Sequence, residues 1–400
     1  MIKEIILKDF FSFKGEHKVP LNPGVNMLVG INGSGKTSFL NALTFLYQGV
    51  DENGTGLEKL IGTWGGFNAI VNAGSDKTPD CFSLTYVFDS NGLKKINPLS
   101  PFSQDVFYKI TVFPIGDGSN YSLCESLYSK NSKKSKSSFS YIEFRNGVGK
   151  ISVRDGNGKI SYDYDNSTMS AKELVLRQVS DPQRYLPSYV ISKAVSQLVT
   201  YGKFDTDSLR QPIAPDYSPR LARDGSNLVY LLNTLNNNYT LYYEKIRESL
   251  ANVNPNFTGI GYNFLGTRLF LSIRERHLSH AIDIVHISDG TLLYMLLMAI
   301  FLNPNRGYVI GMDEPETYLH PDMIRSVAGM IKEAAKDSQM IVATHSPLLL
   351  NEFELDDLLV FEKDASNATV IKTFSDDEFN KTELLPGQLW LNGQLGGTRW

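Results

Sequence analysis

A chain of 400 residues with 42% hydrophobic side chains can bury a large core, and its length implies two or three lobes. A net charge of −4 excludes a surface built wholly for nucleic acid but leaves room for a local basic track. The two cysteines, Cys81 and Cys124, form neither a CxxC motif nor a disulfide framework, so a reducing, cytoplasmic setting is expected. The first residues read as a strand rather than a secretory leader. The longest apolar run, Leu292–Leu302, falls short of the about 20 residues that span a bilayer, so no membrane partner is expected.

Residues 1–30 alternate as a β-hairpin, with Asn22-Pro23-Gly24 as a turn into the apolar strand Val25–Val29. Directly after it, residues 30–37 read Gly-Ile-Asn-Gly-Ser-Gly-Lys-Thr, a complete G-x-x-x-x-G-K-[ST] phosphate-binding loop, and an amphipathic helix follows over 38–48. Gly30, Gly33 and Gly35 let the backbone wrap so that the N–H groups of Asn32 to Ser38 point at phosphate oxygens, aided by the helix dipole. Lys36 is placed to reach the β/γ-phosphates, and the Thr37 hydroxyl to ligate Mg²⁺. A nucleoside triphosphate with Mg²⁺ is therefore the expected ligand.

From about 80 to 164 the pattern is β-rich, with strands expected at Phe82–Phe88, Val106–Phe113, Ser140–Phe144 and Lys150–Val153. Asp-Ser-Asn-Gly, Asp-Gly-Ser-Asn and Asp-Gly-Asn-Gly supply turns. Within this part Ser129–Ser138 carries four lysines, either a phosphate-contacting finger or a solvated hairpin tip. The period then becomes helical, with candidates Ala171–Val179, Ser188–Tyr201, Asn227–Asn236 and Leu241–Leu250. Strands return at Gly259–Phe264 and Arg268–Ile273, followed by α/β alternation to about 362. No heptad pattern long enough for a coiled-coil arm is present.

Ser288-Asp289-Gly290 opens the apolar helix of Leu293–Leu302; it is either an anion-binding helix N-terminus or an ordinary cap. Asp313-Glu314 ends an apolar strand, where Asp313 suits the Mg²⁺ shell and Glu314 suits a base that polarises an attacking water. After a turn and the helix Asp322–Lys336, a second buried strand ends at His345, in position to sense a γ-phosphate at the carboxyl edge of a parallel sheet. Gly387–Trp400, rich in glycine and tryptophan, either docks an effector or packs back on the core.

These residues in this order resemble the ABC-type head-domain ATPases of the SMC, RecF and OLD group, specifically compact ones without long coiled coils. In that resemblance Gly30–Thr37 is the Walker A motif, Asp313-Glu314 the Walker B, Ser288-Asp289-Gly290 the signature, Glu316–His320 the D-loop and His345 the switch histidine. Ile5–Phe13 looks like the opening strand, with Phe11 where the group usually has an arginine. The Q-loop glutamine, a nucleotide and metal ligand, falls on Gln178, with Gln104 and Gln183 as competitors. The implied fold is an α/β P-loop NTPase of ABC-ATPase head type, with a mixed sheet core, a β-rich N-terminal lobe part and a helical lobe. Its expected divisions are 1–178, 179–290 and 291–400.

The resemblance implies catalytic roles for Lys36, Glu314 and His345, and ATP as the nucleotide. It also implies a homodimer in which the signature of one head completes the nucleotide site of the other, with higher oligomers open. Function would couple hydrolysis to action on DNA or to control of a separate effector, a nuclease or Toprim-like protein, as in antiphage defence. No fused Toprim nuclease is expected. A nucleotide-gated scaffold or sensor with slow turnover is the alternative. A transporter subunit fits poorly, because no Leu-Ser-Gly-Gly-Gln signature is present.

Overall fold

The period-2 patterning of the first 170 residues resolves into one extended antiparallel sheet, and the later apolar runs into a short parallel one. The computed structural model describes residues 1–74, 78–130, 138–155, 158–211, 217–375 and 384–396. They form two units rather than three successive lobes. The first comprises 1–23, 30–199 and 360–372; the second comprises 24–29, 200–359 and 373–400. The expected divisions at 178 and 290 fail because strand pairing is non-local. Val25–Val29 pair with strand 339–344 and so belong to the second unit.

In the first unit, β1 (Ile2–Lys8), β2 (Glu16–Pro20), β4 (Phe82–Phe88), β5 (Val106–Ile115), β6 (Asn120–Ser129), β7 (Phe139–Arg145), β8 (Val148–Asp155) and β9 (Gly158–Tyr164) form an eight-stranded sheet. Its order is β2-β1-β4-β5-β6-β7-β8-β9, and all its pairs are antiparallel. Helices α1 (Lys36–Val50), α2 (Leu57–Thr63), α3 (Phe67–Ile70), α4 (Ser90–Ile96), α5 (Val175–Gln178) and α6 (Leu186–Val195) complete the unit, with the paired strands β16 (Leu358–Lys363) and β17 (Thr369–Thr373) at its C-terminal end. The core is aromatic: Phe10, Phe45, Phe67 and Phe82 are fully buried, and the Tyr86 hydroxyl donates to the Ala42 carbonyl at 2.6 Å, tying β4 to α1.

Four local expectations change. Asp89-Ser90-Asn91-Gly92 is not a turn, because Asp89 caps α4 through the Gly92 N–H at 2.7 Å and apolar residues continue the helix. Strand β6 joins the sheet without a sequence signal, because Glu125 interrupts its inward apolar series of Tyr121, Leu123 and Leu127. Helix 188–201 ends at Val195, and β10 (Leu198–Tyr201), rich in strand-favouring residues, follows. Helix 171–179 shrinks to α5, whose first N–H groups are taken by Glu125: Val175 N donates to Oε2 at 2.6 Å and Leu176 N to Oε1 at 3.3 Å.

Burial lifts the Glu125 carboxyl from 4.5 to about 7, while bonds from Val175, Tyr108 and Leu176 pull the other way. The folded state therefore holds a proton that the unfolded chain has lost between these values. That stabilisation is complete below pH 4.5 and is lost as pH rises through 7. Over that interval, urea titrations should show wild-type stability falling by roughly 3 kcal/mol more than that of Glu125→Gln, which cannot titrate. Parallel pH profiles for the two proteins would refute the assignment.

The second unit is built on parallel strands β3 (Val25–Gly30), β14 (Val309–Asp313) and β15 (Gln339–Thr344), with β15 between the other two. Their registers align the carboxyl ends: Asp313 stands opposite Ala343, and Thr344 opposite Val29. Helices α7 (Thr206–Leu209), α8 (Leu228–Asn238), α9 (Thr240–Val253), α10 (Asp289–Phe301) and α11 (Pro321–Ala334) form the helical part of the unit, with α10 packed on α7, α8, α9 and α11. A three-stranded sheet of β11 (Phe257–Leu265), β12 (Arg268–Glu275) and β13 (Ile282–Asp283) completes the middle of the unit. No helix among the described residues is long and apolar enough to cross a membrane.

The described part of the C-terminal segment packs back on its own unit. Helix α13 (Pro386–Leu391) lies on α12 (Pro347–Leu350), and a Cβ at Gly387 would stand 2.1 Å from the Pro347 carbonyl oxygen. Leu389 and Leu395 are buried; residues 397–400 lie outside the described residues. Of the basic segment only its edges are described. Lys130 stands over the Phe107 ring at 4.4 Å, while Lys133, Lys134 and Lys136 lie outside the described residues.

Candidate nucleotide site

Strand β3, buried along its whole length, delivers the chain to the phosphate-binding loop at Gly30. A Cβ there would be 2.3 Å from the Phe361 carbonyl oxygen, so only glycine fits. Gly35, at φ +113, occupies left-handed space, and its Cβ would collide with Thr369 Oγ1 at 2.4 Å. The loop is pinned by hydroxyls: Thr369 Oγ1 lies 2.7 Å from both the Ser34 carbonyl and Ser12 Oγ, and Ser12 Oγ lies 3.3 Å from Ser38 Oγ. Thr369 was invisible in the sequence because it stands on a late strand with no motif around it.

Lys36 is 5% exposed, with Nζ donating to the carbonyls of Gly30 at 2.8 Å and Ile31 at 3.1 Å. Ser34 Oγ is buried without a hydrogen-bond partner, while Asn32, Gly33 and Thr37 are exposed. A buried ammonium, an orphaned hydroxyl, glycine-shaped backbone and the N-terminus of the 15-residue α1 together suit an anionic phosphate chain. Phe11 makes no such contribution: its ring packs on Trp64 at 5.5 Å, and its N–H bonds Ile70 O at 2.6 Å.

Gln178 is not brought to this loop, which corrects the expected Q-loop residue. Neighbouring Arg177 docks on the carbonyls of Gln48, Asp51, Glu52 and Gly54, at the far end of α1. At 1.5 Å per residue that end lies roughly 20 Å from Lys36. The Gln178 amide is engaged locally, accepting from Ser170 N at 2.7 Å and donating to Glu173 O at 2.9 Å.

The second unit gathers the acidic and imidazole groups. Asp313 is the last residue of β14; Glu314 follows in left-handed backbone at φ +50, its N–H bonded to Ala343 O at 2.8 Å. A non-glycine residue held there stores of order 1–3 kcal/mol of strain, a pattern concentrated at functional sites. Glu314 Oε1 lies 2.9 Å from His345 Nε2, and Oε2 lies 3.2 Å from Lys203 Nζ. The bond to Glu314 raises the Lys203 ammonium above its ordinary value. Glu316 fixes the turn that carries the histidine: its Oε1 accepts from Thr344 Oγ1 at 2.5 Å, His345 N at 2.9 Å and Ser346 N at 3.1 Å.

Ser288 caps α10, with Oγ accepting from Thr291 N at 3.3 Å and lying 2.8 Å from Thr291 Oγ1. The cap reading therefore holds locally, yet Ser288 is exposed and Gly290 only partly covered. A Cβ at Gly290 would stand 2.8 Å from the Tyr318 carbonyl, so this helix start is packed against the Glu316–His320 turn. Arg210 braces it, with Nη2 at 2.6 Å from Asp289 Oδ1, which holds that carboxyl below its usual value. Neither Lys203 nor Arg210 carried a sequence signal: they stand far from the motifs they serve.

Two family models match. One, described as "AAA domain", covers residues 4–180, and the other, "AAA domain, putative AbiEii toxin, Type IV TA system", covers 173–351. An uncharacterized protein of Methanocaldococcus jannaschii is 38% identical over 68 residues, 17% of this chain and 18% of its own length. The structural maintenance of chromosomes protein 3 homolog of Plasmodium falciparum is 43% identical over 51 residues, 13% of this chain and 4% of its own. The chain thus spans less than a fifth of either relative. Among solved structures, an Smc head bound to the C-terminal winged-helix domain of ScpA matches with TM-score 0.58 at 15% identity, covering 94% of this chain and 99% of that one. An Smc head with an extended coiled coil, bound to the C-terminal domain of ScpA from Pyrococcus furiosus, matches with TM-score 0.57 at 14% identity, covering 95% and 98%. The chain has the fold of an Smc head domain, and each of its two successive parts, 4–180 and 173–351, matches an AAA-domain model.

Proposed function

We propose that this chain binds Mg-ATP and hydrolyses it, that two heads close around the nucleotides, and that the cycle acts on DNA or controls a separate effector. One observation carries the reading: a carboxylate and an imidazole, Glu314 and His345, pair at 2.9 Å at the carboxyl ends of parallel strands whose neighbour, β3, runs into a phosphate-binding loop. Lys36 and the loop N–H groups hold the phosphates. Glu314 takes the proton of the attacking water, and His345 orients that carboxylate. ATP supplies the phosphoryl group and Mg²⁺ neutralises its charge; Thr37 and Asp313 are the residues that would hold the metal. Gln178 has no part in this scheme.

The exposed Ser288 and the half-covered Gly290 offer a helix N-terminus to a second subunit's nucleotide. Partner control draws support from the ScpA-bound heads of like fold and from the toxin–antitoxin wording of one matched family. A slow nucleotide-gated sensor is the second reading, favoured by the ion pair that Glu314 already makes with Lys203.

ATPase rate should rise faster than linearly with protein concentration, and DNA should stimulate it if nucleic acid is the working ligand. Ser288→Arg should bind ATP normally yet sediment as a monomer where the wild type dimerises with ATP. Nucleotide-dependent dimerisation of that variant at wild-type strength would sink the shared-site scheme.

A further inference from the structure

Lys203 lies on the loop between β10 and α7, outside every motif of the nucleotide machinery. Its ammonium stands 3.2 Å from Glu314 Oε2 while His345 holds Oε1, so both oxygens of that carboxylate already face protein donors. Asp313 adds to the field at the same ammonium. The loop borders a cavity of about 140 Å³ lined by Lys203, Phe204, Leu293, Leu297, Glu314 and Tyr318. Its walls thus join the Lys203 loop, the Ser288-capped helix and the turn after Asp313.

We propose that Lys203 is a positioning residue that latches Glu314 in a resting arrangement and so restrains hydrolysis. This rests on the reading of Glu314 as the base. With the Lys203 ammonium against Oε2 and the His345 ring against Oε1, both oxygens are occupied by protein groups, so the latch acts by covering the acceptor that an attacking water would need. The Lys203 side chain is 71% exposed, so its pair is weak and competes poorly with other anions. The latch is therefore a modest, releasable brake and no structural pillar. His345 keeps its hold on Oε1 when Lys203 lets go, so release withdraws the ammonium from Oε2 without losing the carboxylate's aim.

The test compares Lys203→Met and Lys203→Arg with wild type by steady-state ATPase kinetics and by hydrogen–deuterium exchange of the nucleotide-free proteins. Lys203→Met should raise kcat about two- to fivefold, the rate equivalent of an exposed pair, at unchanged KM. Lys203→Arg, which keeps the charge, should behave as wild type. Exchange over residues 314–319 should quicken in Lys203→Met with the melting temperature unmoved. A Lys203→Met rate at or below wild type, beside an inactive Glu314→Gln, overturns the latch and leaves the base standing. A faster rate without faster exchange also overturns it. Wild-type turnover by Glu314→Gln removes the base and the latch together.

Discussion

Lys36→Ala is expected to weaken ATP binding by roughly 100-fold, about 3 kcal/mol, as the loss of one or two buried charge-assisted hydrogen bonds implies. The side chain is 5% exposed, and its ammonium sits over the Gly30 and Ile31 carbonyls at 2.8 and 3.1 Å, the only lysine or arginine that the loop sequence itself supplies. Loop N–H groups remain in the variant, but dipoles alone do not neutralise a triphosphate. Lys36→Arg should rescue poorly, because a planar guanidinium does not fit a slot shaped for a compact ammonium. Isothermal titration with Mg-ATP measures the effect. Binding within threefold of wild type would show that Lys36 does not bear the phosphate charge.

Much of the site could be read in the linear sequence because its motifs are contiguous. A strand, a glycine loop and a helix start form the P-loop within a dozen residues, and Asp313-Glu314 and His345 each end an apolar run. What the sequence hid is what tertiary pairing supplies. Thr369 reaches the loop from β17, and Lys203 reaches Glu314 from before α7, with no periodicity to announce either. Gln178 failed for a related reason: resemblance fixed a position, but Arg177 one residue earlier found four carbonyls at the far end of α1 and took the segment there. The division into units was also illegible, since Val25–Val29 pair with residues about 315 positions later. Glu125 hid strand β6 because a buried carboxylate reads as a surface residue until Tyr108 and the α5 N–H groups are known to meet it.

Glu314→Gln should bind ATP with near wild-type affinity yet hydrolyse it at least about 100-fold more slowly, the lower bound for removing a positioned general base. The substitution keeps the side chain's length and one acceptor oxygen, so the left-handed turn at φ +50 and the approach of His345 at 2.9 Å can survive it. What it loses is the proton-accepting charge. Two rival sources of the rate would behave differently. If phosphate neutralisation by the loop carried most of the acceleration, the variant would lose little, and Lys36 rather than Glu314 would dominate kcat. If His345 were itself the base, Glu314→Gln would slow the reaction only through misorientation, by about tenfold on the same scale, and His345→Ala would be the slower variant. Single-turnover hydrolysis with saturating enzyme separates these cases from any change in binding. Bound but uncleaved ATP would also hold paired heads together, so the variant should sediment as a stable dimer with ATP and as a monomer with ADP. Wild-type single-turnover rates in Glu314→Gln would remove the carboxylate from the chemistry and leave the chain a nucleotide-binding switch.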